Sequence, residues 1–230
     1  MQLEWFVLGA LLLALLADHF VVWRAFERAV TLDAAKERRA WRMRTAAVLW
    51  SCAALVLALW AARGWPPNIF SLPSGWRFWA PLAVVIAVLS LQAMGAIKIS
   101  RASGDKSRLR KQMGSTARVM PHDRSELPGW LGISLTAGFC EELVFRGFLI
   151  WMLQPFAGWW VAAGAALAVF AAAHAYQGAS GVVRSALAGA LMTAIVFVSQ
   201  TLWLAIVLHA ALDWMGGCIA WLILREPEAQ

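Results

Sequence analysis

Three charged residues interrupt a long apolar stretch in the second half of the chain. Glu141, Glu142 and Arg146 lie within residues 130–153, which are otherwise apolar and long enough to cross a bilayer as a helix at about 1.5 Å per residue. Each charge at the bilayer centre costs on the order of 2.5 to 3.5 kcal/mol. We therefore expect these three side chains to be paired, uncharged or engaged in chemistry.

Helical spacing distinguishes the two carboxylates. Residues four apart stack on one helix face, so Glu142 lies over Arg146, with the acid in the favourable N-terminal position. Glu141 points about 100° away, and its neighbour four residues on is Phe145, which carries no charge. The spacing predicts a structural ion pair between Glu142 and Arg146 and leaves Glu141 free for catalysis. A charge cluster that only holds helices together is the alternative interpretation.

Two further apolar segments carry histidines. His209 and Asp213 are four apart on one helix face, and a histidine and a carboxylate stacked inside a membrane helix require a common partner such as water or substrate. His174 follows another apolar run, where a histidine alone is more typical of the headgroup level.

The composition is that of a polytopic membrane protein. Hydrophobic residues make up 61% of the 230 residues, charged residues make up 14%, and the mean hydropathy is +0.65. The sequence predicts an all-α transmembrane bundle of about seven helices, or eight, with the active site among the last four. The predicted spans are residues 3–22, 45–62, 78–99, 130–153, 158–176, 182–198 and 202–224.

The net charge of +7 is concentrated in two predicted loops. By the positive-inside rule both are cytoplasmic, which places the N-terminus outside and the C-terminus in the cytoplasm. Membrane topology therefore explains the charge, so we predict contact with anionic lipid headgroups and no nucleic-acid partner. The basic residues are Arg24, Arg28, Lys36, Arg38, Arg39, Arg42 and Arg44 in the first loop, and Lys98, Arg101, Lys106, Arg108, Arg110, Lys111, Arg118 and Arg124 in the second.

The predicted organisation is one membrane domain in two parts. Residues 1–128 form an N-terminal region of three spans with the two basic loops, and residues 129–230 form a catalytic core of four spans. Many tryptophans fall near predicted span ends, where they are expected to mark the membrane interface. They are Trp5, Trp23, Trp41, Trp60, Trp65, Trp76, Trp79, Trp130, Trp151, Trp159, Trp160 and Trp221.

Three motifs together resemble the CPBP family of intramembrane proteases, the CAAX protease and bacteriocin-processing group that includes Rce1-like and Abi-like proteins. The family pattern is Glu-Glu-x-x-x-Arg, then Phe-x-x-x-His, then His-x-x-x-Asn or Asp, each on its own helix. The chain has these motifs in that order at residues 141–146, 170–174 and 209–213. Each motif alone is a weak signal, whereas the ordered set, covering roughly residues 130–215, is a strong one.

The resemblance implies a role for each residue. Glu141 and His174 hold and activate a water that attacks the scissile carbonyl, Glu142 pairs with Arg146, and His209 and Asp213 face the developing oxyanion. An ionised Asp cannot donate a hydrogen bond as Asn does. Asp213 is therefore protonated, or orients His209 as the donor, or binds a metal with it, and we favour the second.

The predicted function is a CAAX-type intramembrane endopeptidase acting on a peptide or protein with a membrane-embedded or lipidated segment. No cofactor is predicted; Zn²⁺ held by Glu141, His174 and His209 is the alternative. Intramembrane Glu, His and Asp are also compatible with a proton-coupled transporter, or with a noncatalytic scaffold or immunity protein. The predicted location is a membrane, the bacterial inner membrane in particular.

Overall fold

The computed structural model describes residues 2–29, 34–66, 69–101 and 106–225, and the side chains of residues 15–20 lie outside the description. Within these ranges the chain is helical and contains no strand, which confirms the predicted all-α class. The helices are α1 (Gln2–Ala17), α2 (Arg24–Ala29), α3 (Ala34–Arg63), α4 (Trp76–Arg101), α5 (Ser107–Met113), α6 (Leu127–Glu141), α7 (Ile150–Ala173), α8 (Gly178–Ser199) and α9 (Trp203–Leu224).

Shorter helical segments connect several of these helices. A π-helical segment, Asp18–Trp23, joins α1 to α2, and a second one, Glu142–Leu149, joins α6 to α7. Single 3₁₀ turns occur at Gly114–Arg118, Arg124–Glu126 and Ala175–Gln177.

The long apolar helices show that the chain is an integral membrane protein. In the described part of the chain, five helical segments are long and apolar enough to cross a membrane, and the segment Gln2–Ala14 is a shorter apolar helix. One of the five, Arg124–Ala173, contains the fourth predicted span and all but the last three residues of the fifth. The predicted count of about seven therefore corresponds to five long segments, one of them doubled, and the N-terminal helix.

Gly158 divides this doubled segment into two antiparallel arms. Its backbone has φ 77° and ψ 162°, in a region that favours glycine, and the helix continues through Pro155 up to this point. The rings of Phe145 and Phe170, one on each side of Gly158, then lie 5.2 Å apart. The gap between the predicted spans 130–153 and 158–176 is thus helical up to a single break at Gly158.

Helix α6 lies between α3 and α9, and glycines set its close packing on α9. A side chain at Gly138 would meet Ala210 at 2.8 Å, and the ring of Trp130 packs directly on Gly217, so α6 and α9 run antiparallel. Helix α3 runs parallel to α6. The residues that meet across the two helices are separated by nearly the same number of positions in the sequence. The contacts are Arg38 with Glu126, 88 residues apart, Trp50 with Thr136, 86 residues apart, and Trp60 with Gly147.

Two arginines assigned to the first basic loop are buried in an ion-pair cluster, so their interpretation as loop charges is wrong. Helix α3 begins at Ala34, well before the predicted span at 45, and its first turns carry Arg38 and Arg42. Arg38 donates to both carboxylate oxygens of Glu126, at 2.9 and 2.7 Å, and Arg42 donates to one of them at 3.2 Å. The cluster joins the start of α3 to the start of α6.

Basic residues of the second loop close the end of α9. The ammonium of Lys106 donates to the carbonyl of Leu222 at 2.9 Å, and Nε of Arg110 donates to that of Ile223 at 2.9 Å. The last carbonyls of a helix have no partner within the helix, and cations are favourable there. Part of the charge that topology alone was expected to explain therefore stabilises the fold.

Replacing Glu126 by Gln is expected to destabilise the protein strongly. The neutral amide leaves two buried guanidinium groups without a counter-charge, and breaking a buried ion pair costs about 3 to 5 kcal/mol. Thermal unfolding in detergent measures the effect. The exposed pair between Arg118 and Glu27 is the control, because losing an exposed pair costs about 1 kcal/mol or less. Equal shifts for Glu126→Gln and Glu27→Gln would contradict this account.

Several tryptophans that were expected to mark the membrane interface are core residues instead. The ring of Trp60 is fully buried, and Trp23, Trp41 and Trp130 are each less than one-tenth exposed. Others, such as Trp79 and Trp160, keep about two-thirds of their surface exposed, as interfacial residues do. Proximity to a span end does not separate these two groups.

Candidate active site

Glu142 connects the helix that carries it to α9. Its Oε1 accepts hydrogen bonds from Nη1 of Arg146 and from Nδ1 of His209, each at 2.8 Å, and its side chain is completely buried. The four-residue spacing predicted the contact with Arg146 but contained no information about His209, which lies on another helix. Glu142 therefore pairs with the arginine and also holds the His209 ring.

Arg146 is enclosed by groups from α7 and α8. Its Nη2 donates to the carbonyl of Gly189 at 3.0 Å, and its guanidinium carbon lies 4.3 Å from the ring centre of Phe170. Nε also contacts Oγ1 of Thr193 at 3.4 Å. A side chain at Gly189 would approach Nη2 to 2.7 Å, so this glycine provides the space for the guanidinium. Helix α8, which carried no motif, thus contributes the binding site for Arg146.

The π-helical geometry begins at Glu142. Hydrogen bonds there run from residue i to i+5, and π-helical turns within α-helices frequently occur at functional sites. The segment Glu142–Leu149 is buried along its whole length. Its wider turn places Glu142 and Arg146 inside the bundle, directly after Glu141 at the end of α6.

One carboxylate oxygen of Glu141 has no hydrogen bond within the described part of the chain. Its Oε2 is buried and has no hydrogen-bond partner among the described residues, and Nε2 of His209 lies 3.9 Å from it. About 15% of the side chain is exposed, and it lines a cavity. An unpaired carboxylate in such a position is suited to bind and deprotonate a water molecule.

His174 occupies the last position before the turn after α7. Its Nδ1 lies 2.8 Å from the carbonyl oxygen of Phe170, and because a carbonyl only accepts, Nδ1 carries the proton. In the neutral ring Nε2 is then the acceptor. The Phe170 ring is 4.7 Å from the His174 ring and 6.1 Å from the His209 ring, so it packs against both histidines.

Asp213 lies on the opposite side of the His209 ring from Glu142. Its Oδ2 is 3.7 Å from Nε2 of His209, longer than a hydrogen bond, and its side chain is 43% exposed. Its backbone carbonyl accepts a 2.8 Å hydrogen bond from Nε1 of Trp130, which fixes this turn of α9 against α6. The contact that holds the His209 ring in this structure is therefore the one to Glu142, and Asp213 approaches the nitrogen that remains.

A cavity of about 150 Å³ brings three of the predicted residues together. Glu141, His174 and Asp213 line it. His209 lies behind them, and its Nε2 is near the carboxylates of Glu141 and Asp213. Most of the remaining lining is apolar. Besides these residues it consists of Leu11, Trp23, Trp41, Thr45, Val48, Leu49, Cys52, Thr116, Val119, Met120, Trp130, Ile133, Ser134, Ala137, Cys140, Val144, Phe145, Ala173, Tyr176 and Gln177.

The side-chain positions bear on the zinc alternative. Across the described ranges, no three His, Cys, Asp or Glu side chains come close enough together to hold a metal ion. Glu141 and His209 approach each other, while Nδ1 of both histidines is engaged by oxygen atoms of the protein. Zinc binding by Glu141, His174 and His209 would require these side chains to move.

Comparison with known proteins identifies the segment that carries this site. Residues 123–215 match the family model described as Rce1-like, type II CAAX prenyl endopeptidase Rce1-like. Residues 123–215 are therefore similar to this family, and we call this segment the Rce1-like domain. The predicted resemblance to the CPBP family is confirmed by this match, which supports a CAAX-type intramembrane endopeptidase in general terms. No curated protein and no solved structure gave a significant match.

The Rce1-like domain contains all six residues predicted for the site, together with Gly189 and Thr193. It also includes Glu126, whose two arginine partners lie outside it on α3. Much of the cavity wall opposite Glu141 also comes from α3. The sequence contained one signal for this contribution, since Trp41, Thr45, Val48 and Cys52 recur at helical spacing along one face.

Proposed function

We propose that this protein is an intramembrane endopeptidase that hydrolyses a peptide bond in a membrane-associated or lipidated substrate. The observation that carries the proposal is that Glu141, whose Oε2 has no hydrogen-bond partner among the described residues, lines a cavity together with His174 and Asp213. The Rce1-like match supports the same reaction class. In this proposal a water molecule bound between Glu141 and His174 is the nucleophile.

Glu141 is the general base of the proposed reaction. Its carboxylate takes a proton from the bound water while Nε2 of His174 accepts a hydrogen bond from the same water and orients it. The hydroxide then attacks the scissile carbonyl, and Glu141 returns the proton to the leaving amine. Proton transfer by a positioned group of this kind contributes about 10² to 10⁴ in rate.

His209 is the proposed oxyanion donor. Its Nδ1–H is already donated to Glu142, so donation from Nε2 requires the imidazolium form. Asp213, at 3.7 Å from Nε2, balances the charge of that form. Removing one preorganised donor of an oxyanion typically lowers kcat by about 10² to 10³.

Glu142 and Arg146 are assigned a positioning role. Neither lines the cavity, and both are buried behind it. Glu142 fixes His209 through Nδ1, while Arg146 fixes Glu142 and is itself held by Gly189 and Phe170. This chain of contacts sets the direction of His209 without touching the substrate.

The proposed setting is a membrane, the bacterial inner membrane in particular, with the N-terminus outside and the C-terminus in the cytoplasm. Two basic clusters would then lie at the cytoplasmic face. One is formed by Arg38 and Arg42 with Glu126 at the starts of α3 and α6, and the other by Lys106 and Arg110. The expected partners are the peptide or protein substrate and membrane lipids.

Purified protein in detergent, incubated with an S-farnesylated peptide ending in Cys-Val-Ile-Met and with its unprenylated form, tests this function. We expect cleavage of at least one peptide, with a rate that does not fall when a chelator such as 1,10-phenanthroline is added. Loss of cleavage with chelator and its recovery with Zn²⁺ would replace the metal-free mechanism by the zinc alternative. Absence of cleavage of both peptides and of a broader set of membrane peptides would contradict the endopeptidase proposal.

A further inference from the structure

One wall of the cavity beside Glu141 comes from a helix outside the Rce1-like domain. Trp41, Thr45, Val48 and Cys52 of α3 line it, and their spacing of three and four residues places them on a single helix face. The opposite wall belongs to α6 and its π-helical continuation, which carry Glu141. A helix that no motif marked thus faces the proposed catalytic base across the cavity.

The parallel register of α3 and α6 defines which part of this wall lies beside Glu141. The contacts Arg38–Glu126 and Trp50–Thr136, 88 and 86 residues apart, place Glu141 level with residues 53–55. Cys52 therefore lies within one helical turn of the level of Glu141, and Val48 lies about one turn further along. Trp41 is about 16 Å from the level of Cys52 along α3, at a rise of 1.5 Å per residue.

The part of the cavity next to Glu141 is apolar and small. Val48, Cys52, Val144 and Phe145 line it, and the whole cavity of about 150 Å³ is comparable with an apolar cavity that binds benzene. A farnesyl chain has more than twice as many carbon atoms as benzene and does not fit within it as a whole. A single apolar side chain fits within it.

We propose that α3 determines substrate specificity: Val48 and Cys52 form the wall of a pocket that receives one apolar side chain adjacent to the scissile bond. The inference rests on the proposed endopeptidase function, because the position of Glu141 defines where the scissile bond lies. The size of the pocket favours side chains from leucine to phenylalanine over alanine, since a smaller side chain leaves it partly unfilled.

Substitutions on α3 test this pocket. The probes are S-farnesylated peptides that differ only in the residue on the carboxyl side of the scissile bond, which is Ala, Val, Leu or Phe. For the wild type we expect kcat/KM for Leu to exceed that for Ala by about 10- to 200-fold, the range for apolar contacts in an enzyme pocket. Cys52→Phe fills the pocket and is expected to lower kcat/KM for Leu at least tenfold while sparing Ala. Val48→Ala enlarges the pocket and is expected to raise kcat/KM for the Phe peptide relative to that for the Leu peptide.

Leu55→Phe is the matched control, because it introduces the same ring on α3 at a side chain that is 38% exposed on the outer surface. It should leave the order of the four peptides unchanged. The specificity role of α3 is overturned if the folded Cys52→Phe and Val48→Ala proteins change kcat/KM for all four peptides by the same factor. It is also overturned if Leu55→Phe shifts the order of the peptides as much as these two substitutions do. In either case the endopeptidase function stands.

A binding measurement separates this inference from the proposed function. The same peptides are titrated into the full-length Glu141→Gln protein, and the dissociation constant is followed by tryptophan fluorescence. The pocket is supported if affinity rises from the Ala peptide to the Leu peptide and if this trend is lost in the Cys52→Phe, Glu141→Gln protein. This result would support the pocket even if the wild type cleaves none of the peptides and the proposed function fails. Affinity that is independent of the varied side chain overturns the pocket.

Discussion

Substitution of Glu142 by alanine is expected to remove most of the folded protein. One oxygen of this carboxylate accepts hydrogen bonds from Arg146 and His209, both at 2.8 Å, in a site without solvent exposure. Its loss leaves a buried guanidinium without its counter-charge, which costs about 3 to 5 kcal/mol. A typical domain has a total stability of about 5 to 15 kcal/mol. Folded yield by fluorescence-detected size exclusion and the Tm in detergent measure the effect.

Glu141→Ala is the matched control for this prediction. It removes a carboxylate of the same kind from the preceding residue, but this carboxylate lies 3.9 Å from Nε2 of His209, and no hydrogen bond from a described residue to its Oε2 is lost. The folded yield should therefore stay close to that of the wild type. Equal losses for the two variants would show that the division between a positioning carboxylate and a catalytic one is wrong.

Replacement of His174 by alanine is expected to reduce kcat by about 10² to 10⁴ without loss of folded protein. The hydrogen bond from Nδ1 to the Phe170 carbonyl keeps the proton on Nδ1, so in the proposed mechanism Nε2 is the atom that orients the nucleophilic water. That bond lies within the turn that ends α7, and a typical hydrogen bond contributes only about 1 kcal/mol to stability. Turnover at saturating peptide, with Tm measured in parallel, checks both parts.

His122→Ala serves as the control for His174. His122 lies in the segment before α6, bonds to the carbonyl of Ala117 at 2.9 Å and does not line the cavity. Its loss should leave kcat unchanged. Wild-type turnover by His174→Ala would exclude any role of this ring in holding the water.

The sequence predicted much of the fold because hydropathy and length determine where apolar helices cross a membrane. The third, sixth and seventh predicted spans agree with α4, α8 and α9 within a few residues. The start of α3 was missed, since Arg38 and Arg42 resemble loop charges until their partner is known. That partner, Glu126, is more than 80 residues away, and no local pattern links the three.

The sequence motifs supply the candidate site residues, whereas most of the contacts of these residues could not be predicted from the sequence. Spacing within one helix predicted that Glu142 faces Arg146, and the structure has this contact. The hydrogen bond from His209 to Glu142 joins two helices, and the π-helical turn after Glu141 follows from packing rather than from local propensity. The resemblance placed the motifs in one site but contained no information about α3.

The central claim is that Glu141 activates the water that cleaves the substrate. The most direct measurement is the rate of peptide cleavage by purified wild-type protein and by Glu141→Gln, prepared in the same detergent and shown to have the same Tm. We predict cleavage by the wild type and a rate at least about 10²-fold lower for Glu141→Gln, because the amide cannot take a proton from water. Equal cleavage by the two proteins would contradict the claim.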